Sequence, residues 1–243
     1  MATDTLLELE NATFLPLGSD GPQLSSVYLD ILKGEHTYIL GKAGTGKSLL
    51  VKSIMGLIPL SSGSYSAFGR SMKDPDNLTL HYVRKKIGLL PENGILLNSL
   101  TVRENLAFPL KYLSQNKNER PYETVDQLLI DHQMEKIAHL YPYQIGINAQ
   151  KSIGLLRALL FSPGLIILDD PYEGLDQDGI ALFHQYFKAI LEKQHTTILL
   201  FSRKPISPKG IFKRYLLMEI GNTFQKTDGE DSRFLKFPET FQH

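Results

Sequence analysis

An α/β domain with a mainly parallel sheet, and with a helical block inserted in its middle, is predicted by three observations on this 243-residue chain. Leu165-Ile166-Ile167-Leu168 and the run over 196–201 are apolar almost throughout, the pattern of strands buried on both faces. Such runs alternate with segments whose apolar residues recur at helical spacing, and that alternation builds parallel α/β sheets. Between Asn93 and Leu140 the texture changes to helix formers alone.

The elements follow in order. Leu6-Leu7-Glu8-Leu9 reads as a strand, 18–22 as a turn, and Ser26-Val27-Tyr28-Leu29-Asp30-Ile31 as a second strand. Gly34 punctuates before a third, Thr37-Tyr38-Ile39-Leu40, which ends on Gly41. From Lys47 to Leu57 the residues Leu49, Leu50, Ile54, Met55 and Leu57 follow a helical period. Ser61-Ser62-Gly63 reads as a loop, 63–68 as a short strand, and 87–90 as another strand closed by Pro91. Helices are expected over 102–113, 122–130 and 134–140, with a polar linker over 114–121. A helix over 150–161 is stopped by Ser162-Pro163-Gly164, and 179–193 is helical. The polar stretch 223–243 reads as a weakly ordered or partner-docked tail.

Composition narrows the function. The 26 Lys and Arg balance 26 Asp and Glu, so the net charge of zero offers no case for nucleic acid. The chain has no Cys, which excludes disulfides, thiolate metal sites and cysteine nucleophiles and fits a reducing compartment. Its first residues lack the basic-then-apolar pattern of a secretory leader. No stretch reaches the roughly 18 apolar residues of a spanning helix. The expectation is a soluble chain, without direct membrane insertion, that meets a membrane only through a partner.

Gly41-Lys42-Ala43-Gly44-Thr45-Gly46-Lys47-Ser48 fits G-x-x-x-x-G-K-[ST], with a strand before it and a helix after it. Glycines let backbone N–H groups converge on phosphate oxygens, and the helix N-terminus adds its dipole. Lys47 would reach the β and γ phosphates and Ser48 would ligate Mg²⁺. Asp169, at the end of an apolar strand, would hold the same ion through water. These residues predict a nucleotide site that also holds Mg²⁺.

The run Asp169-Asp170-Pro171-Tyr172-Glu173-Gly174-Leu175-Asp176 resembles the Walker B segment and D-loop of ABC transporter ATPase subunits. Arg157-Ala158-Leu159-Leu160-Phe161-Ser162-Pro163 is similar to the helix before that segment, and Ile87 through Leu96 is similar to the family's Q-loop region. The resemblance spans about residues 5–220. Within the family, Glu92-Asn93-Gly94-Ile95-Leu96 and Asn105-Leu106-Ala107-Phe108-Pro109-Leu110 look most like Mla/Mce-type phospholipid transporter ATPases.

The resemblance implies a RecA-like core over 1–92 and 151–220 with an N-terminal antiparallel β flank, a helical subdomain over 93–150, and a tail over 221–243. It implies a peripheral subunit on the cytoplasmic face of the inner (cell) membrane, bound to a permease and working as a homodimer or heterodimer. The cargo would be lipid or another hydrophobic molecule. A groove beside the helical block would receive a permease helix, with Arg103 as an exposed position in it. Phe14 is the nearest candidate for the aromatic that stacks on adenine, and as a strand residue it reads equally as core.

Four departures fall on the family's catalytic segments. Glu92 replaces the Q-loop glutamine and could still ligate the metal while repelling phosphate. Ile145-Gly146-Ile147-Asn148-Ala149 stands where the signature L-S-G-G-Q belongs. Asp170 replaces the glutamate that polarises the attacking water, and Arg203 replaces the switch histidine. Asp170 would sit roughly 1 Å or more back from that water, a misplacement that can cost about 10²-fold. Arg203 has no acceptor. The expectation is retained ATP binding with weak or absent hydrolysis, in a transporter subunit or in a non-catalytic subunit paired with an intact ATPase.

Overall fold

The computed structural model describes residues 5–15, 24–93, 95–113, 120–193, 196–206 and 210–219. The turn expected over 18–22, most of the linker and the tail lie outside the described residues. The described strands are β1 (Thr5–Phe14), β2 (Leu24–Leu32), β3 (Thr37–Gly41), β4 (Leu60–Ala67), β5 (Arg70–Ser71), β6 (Ile87–Leu90), β7 (Leu165–Asp169), β8 (Thr197–Ser202) and β9 (Arg214–Met218). One sheet is antiparallel, ordered β2-β1-β4-β5; the other is parallel throughout, ordered β6-β7-β8-β3-β9. The helices are α1 (Lys47–Ile54), α2 (Asn77–Lys86), α3 (Val102–Leu113), α4 (Pro121–Asp131), α5 (Ile147–Leu159) and α6 (Gln177–Lys193).

The two-residue period of the strands sorts the core. Leu165, Ile167, Leu199, Phe201 and Ile39 face one side with α1 and the antiparallel sheet. Ile166, Leu168, Ile198, Leu200 and Tyr38 face the other, with α3, α4, α5 and α6. Apolar surface is therefore removed from water on both faces, which is why these strands read as uninterrupted apolar runs. Register aligns their ends: Leu90 pairs with Leu168, Asp169 with Phe201, and Leu40 with Ser202. The chain leaving β3, β6, β7 and β8 thus emerges at one edge, where ligands bind in open α/β sheets.

Several expectations need correction. Ser61-Ser62-Gly63 is part of β4, not a loop, at a point where the register against β1 shifts between Glu10 and Thr13. A Cβ at Gly63 would lie 2.1 Å from the carbonyl oxygen of Asn11, so the glycine admits the close strand crossing. The helix expected over 134–140 is only a 3-10 turn, Glu135–Ile137, because Gln133 takes a left-handed φ of 57° after α4. The helix expected over 150–161 runs instead from Ile147 to Leu159, as α5. β9 and α2 were not foreseen. α2 buries only Val83, so its apolar signal is faint; its readable signs are Asp76, which caps Thr79 N at 2.7 Å, and the basic last turn Arg84, Lys85 and Lys86.

In α3, Leu106 and Leu110 are buried while Phe108 and Tyr112 meet at a 41° tilt in the open, 4.5 Å between centroids. Arg103 is not a free groove position. Its guanidinium forks onto Asp126 of α4 and lies 4.5 Å over the Tyr122 ring. Reversing its charge would face two acids across the α3–α4 contact and unfasten the block it was meant to leave intact.

Candidate functional site

The phosphate loop connects β3 to α1. Gly44 and Gly46 take φ of 80° and 97°, left-handed values that a side chain would strain. Thr45 turns its hydroxyl onto Lys42 O at 2.9 Å, closing the turn, while Lys42, Ala43 and Gly44 stay exposed. Lys47 is buried at 5% exposure, and its ammonium donates to the carbonyls of Gly41 at 2.7 Å and Lys42 at 2.9 Å. Burial lowers its pKa, with Asp170 and Asp169 working the other way. No side chain caps α1 and its first turn holds no acid, so its leading N–H groups are left for an anion.

Asp169 ends β7 beside this loop, 5% exposed, and its Oδ1 has no hydrogen-bond partner. Burial pushes its carboxyl up to about 6, against a lowering hydrogen bond from Ser48. A buried carboxylate oxygen without a partner, next to a serine hydroxyl and a phosphate loop, is a donor set that suits a hard divalent cation. The residues therefore fit Mg²⁺ with a nucleotide. Among the described residues no cluster of three His, Asp or Glu forms a metal cage of its own, so phosphate and water oxygens would complete the shell.

The acids expected to act on water are otherwise engaged. Asp170, 5% exposed and at a left-handed φ of 44°, accepts the backbone N–H of Arg203 on Oδ1 at 2.7 Å. Its Oδ2 lies 3.0 Å from Arg203 Nε. Glu92, the carboxylate expected to ligate metal, accepts from Arg203 Nη2 at 2.6 Å and so pairs here with an internal cation. The expectation for Phe14 is corrected. Its ring is fully buried, edge-on to Tyr65, and offers adenine no face.

The segment standing in for the signature starts α5, with Gly146 as its N-cap and Ile147 exposed beside Gly174. A Cβ at Gly146 would meet nothing within 4 Å at a φ of −66°. Gly146→Ser is therefore expected to be accepted and to raise stability by a few tenths of a kcal/mol as a better N-cap; a thermal melt checks it, and a fall of several degrees would contradict the geometry.

Sequence reading missed Lys151 and Glu173. Lys151 is 1% exposed and reaches the carbonyls of Asp170 at 3.3 Å and Glu92 at 3.4 Å, its pKa lowered by burial. The available signal was a lysine inside a helix whose neighbours Ser152, Ile153, Gly154 and Leu155 are all buried. Glu173 lies 3.3 Å from Arg203 and 3.6 Å from Lys204.

A glycine loop around a buried lysine, a helix N-terminus open to an anion and an acid-ended neighbouring strand define a P-loop nucleotide-binding domain. A sequence model of the family described as ABC transporter matches residues 24–173. The chain belongs to the ABC transporter family. It is 29% identical over 198 residues to the methionine import ATP-binding protein MetN of Brucella abortus (strain 2308), covering 82% of this chain and 53% of that protein. It is 30% identical over 203 residues to the methionine import ATP-binding protein MetN 2 of Bacillus cereus, covering 84% and 60%. The chain thus spans little more than half the length of these relatives. In fold it is similar to a dimeric ATP-binding cassette solved in a post-hydrolysis state bound to ADP and Pi, with TM-score 0.77, 24% identity, and 90% and 97% of the two chains covered.

Proposed function

We propose that this chain is the ATP-binding subunit of an ABC transporter, with a preserved nucleotide site and weak hydrolysis. The observation that carries the reading is the contrast between an intact phosphate loop with Asp169 and an Asp170 that accepts the Arg203 backbone N–H on Oδ1 and has its Oδ2 3.0 Å from the Arg203 guanidinium. Gly41 through Ser48 hold the phosphates, Ser48 and Asp169 hold Mg²⁺, and Lys47 turns from its two carbonyls toward the phosphate. Mg-ATP supplies the phosphoanhydride whose cleavage to ADP and phosphate powers transport. The core over 1–92 and 151–220 carries this site, with α5 joining it to the helical block over 93–150.

In this reading the chain docks as a dimer on the cytoplasmic face of a permease. Its attachment is through that permease; no described helix is long and apolar enough to cross a membrane. Lipid cargo rests only on the resemblance at 92–96 and 105–110, whereas the named relatives are methionine importers. The membrane partner decides between them. The Arg203 contacts also favour a second reading, a non-catalytic subunit paired with an intact ATPase.

Calorimetry with Mg-ATP and a phosphate-release assay test the proposal. Binding is expected, with turnover below about 0.1 per second, well under the 1 per second at the low end of ordinary enzymes. Turnover of tens per second refutes the weak-hydrolysis reading, and absence of binding refutes the whole.

A further inference from the structure

Glu92, Asp170 and Arg203, which stand where the resemblance implies a glutamine, a glutamate and a histidine, meet in the fold. Arg203 Nη2 donates to Glu92 at 2.6 Å, Arg203 Nε stands 3.0 Å from Asp170, and the Arg203 backbone N–H caps the other Asp170 oxygen at 2.7 Å. Glu173 approaches the same guanidinium at 3.3 Å. Lys151 holds the backbone carbonyls of Glu92 and Asp170 from the buried side. Two cations therefore bind together the chain leaving β6, β7 and β8.

We propose that Glu92, Asp170 and Arg203 are a single exchanged charge unit, in which Arg203 is a positioning residue that holds both carboxylates away from water and phosphate. Each replacement makes sense only with the others. An arginine is larger and always charged, so it needs anions around it. A glutamate in a partly buried site needs a cation, and without one the acids at 92, 170 and 173 crowd each other. An aspartate one methylene shorter than glutamate leaves room for the guanidinium. Loss of the Asp170 function is then built into the exchange.

The weak-hydrolysis reading enters this inference only through turnover, so stability and turnover test it separately. In nucleotide-free full-length protein, Arg203→Gln is expected to lower Tm by roughly 4 °C or more, since it strands two or three acids. Glu92→Gln relieves that crowding, so the Arg203→Gln/Glu92→Gln double variant is expected to melt no lower than Arg203→Gln alone. Arg203→Lys is expected to recover part of the loss, because one ammonium reaches fewer carboxylates than the guanidinium fork. Single-turnover ATP cleavage supplies the second measurement. The triple variant Glu92→Gln/Asp170→Glu/Arg203→His is expected to exceed every single variant by about 10-fold or more, since groups that act as a unit are non-additive. The altered segment 145–149 lowers all variants alike, so the ratio is the readout.

Additive melting losses, or a single variant as active as the triple, overturn the proposal. So does a triple variant with no gain. If the triple variant does not fold, the double-variant melt decides. Failure of the wild-type chain to bind Mg-ATP would overturn the nucleotide reading and leave the melting cycle intact as a test of the charge unit.

Discussion

Lys47→Ala is expected to weaken Mg-ATP binding by about 10- to 100-fold, with little change in the melting temperature of the nucleotide-free protein. A charge-assisted hydrogen bond is worth about 1.5–3 kcal/mol, and about 1.4 kcal/mol is a factor of ten in affinity. The free protein loses less. Lys47 donates to the carbonyls of Gly41 and Lys42 there, but its ammonium is nearly dry, and burial already works against its charge. The two effects oppose each other in the free protein, whereas in the complex the lysine faces a phosphate. Calorimetry beside a thermal melt separates them. Equal affinity in variant and wild type would remove the lysine from the phosphate site.

Gly88→Ala is expected to be strongly destabilising for the addition of a single methyl group. Gly88 lies in β6, where a Cβ would come within 2.2 Å of the carbonyl oxygen of Ala158 in α5 and 3.1 Å of Pro163. Helix backbone cannot yield as a flexible side chain can, so β6 and α5 must separate. Overpacking of this kind costs about 1–3 kcal/mol, and with backbone as the obstacle the upper end applies, a fall in Tm of roughly 6–12 °C. Because β6 leads directly to Glu92 and α5 carries Lys151, the same shift should loosen the Arg203 contacts. Differential scanning calorimetry checks the loss, and a variant melting within 1 °C of wild type would show that the two elements slide apart freely.

The fold was legible where its signal is local. β6, β7 and β8 read as strands because both sheet faces are covered, and α3, α4 and α6 because their apolar residues keep a helical period. α2 escaped that reading since only Val83 is buried, and β4 because the serines and glycine at its start look like a loop until β1 is seen pressed against them. Asp169 and the phosphate loop were readable as donors with a stated geometry. The state of Asp170 and Glu92 was not: their residue types were noted as replacements, but a replacement has no partner until the chain is folded.

What the sequence determined by itself is the phosphate loop, because its residues lie within eight consecutive positions at a strand-to-helix junction and carry their conformation locally. Tertiary structure alone decided what became of the acids. Glu92 and Arg203 are 111 positions apart, Asp170 and Arg203 are 33 apart, and parallel register brings their strand ends to one edge. Charges that far apart in the chain pair only after the sheet has formed, and the shared guanidinium then joins carboxylates from two strand ends in one arrangement.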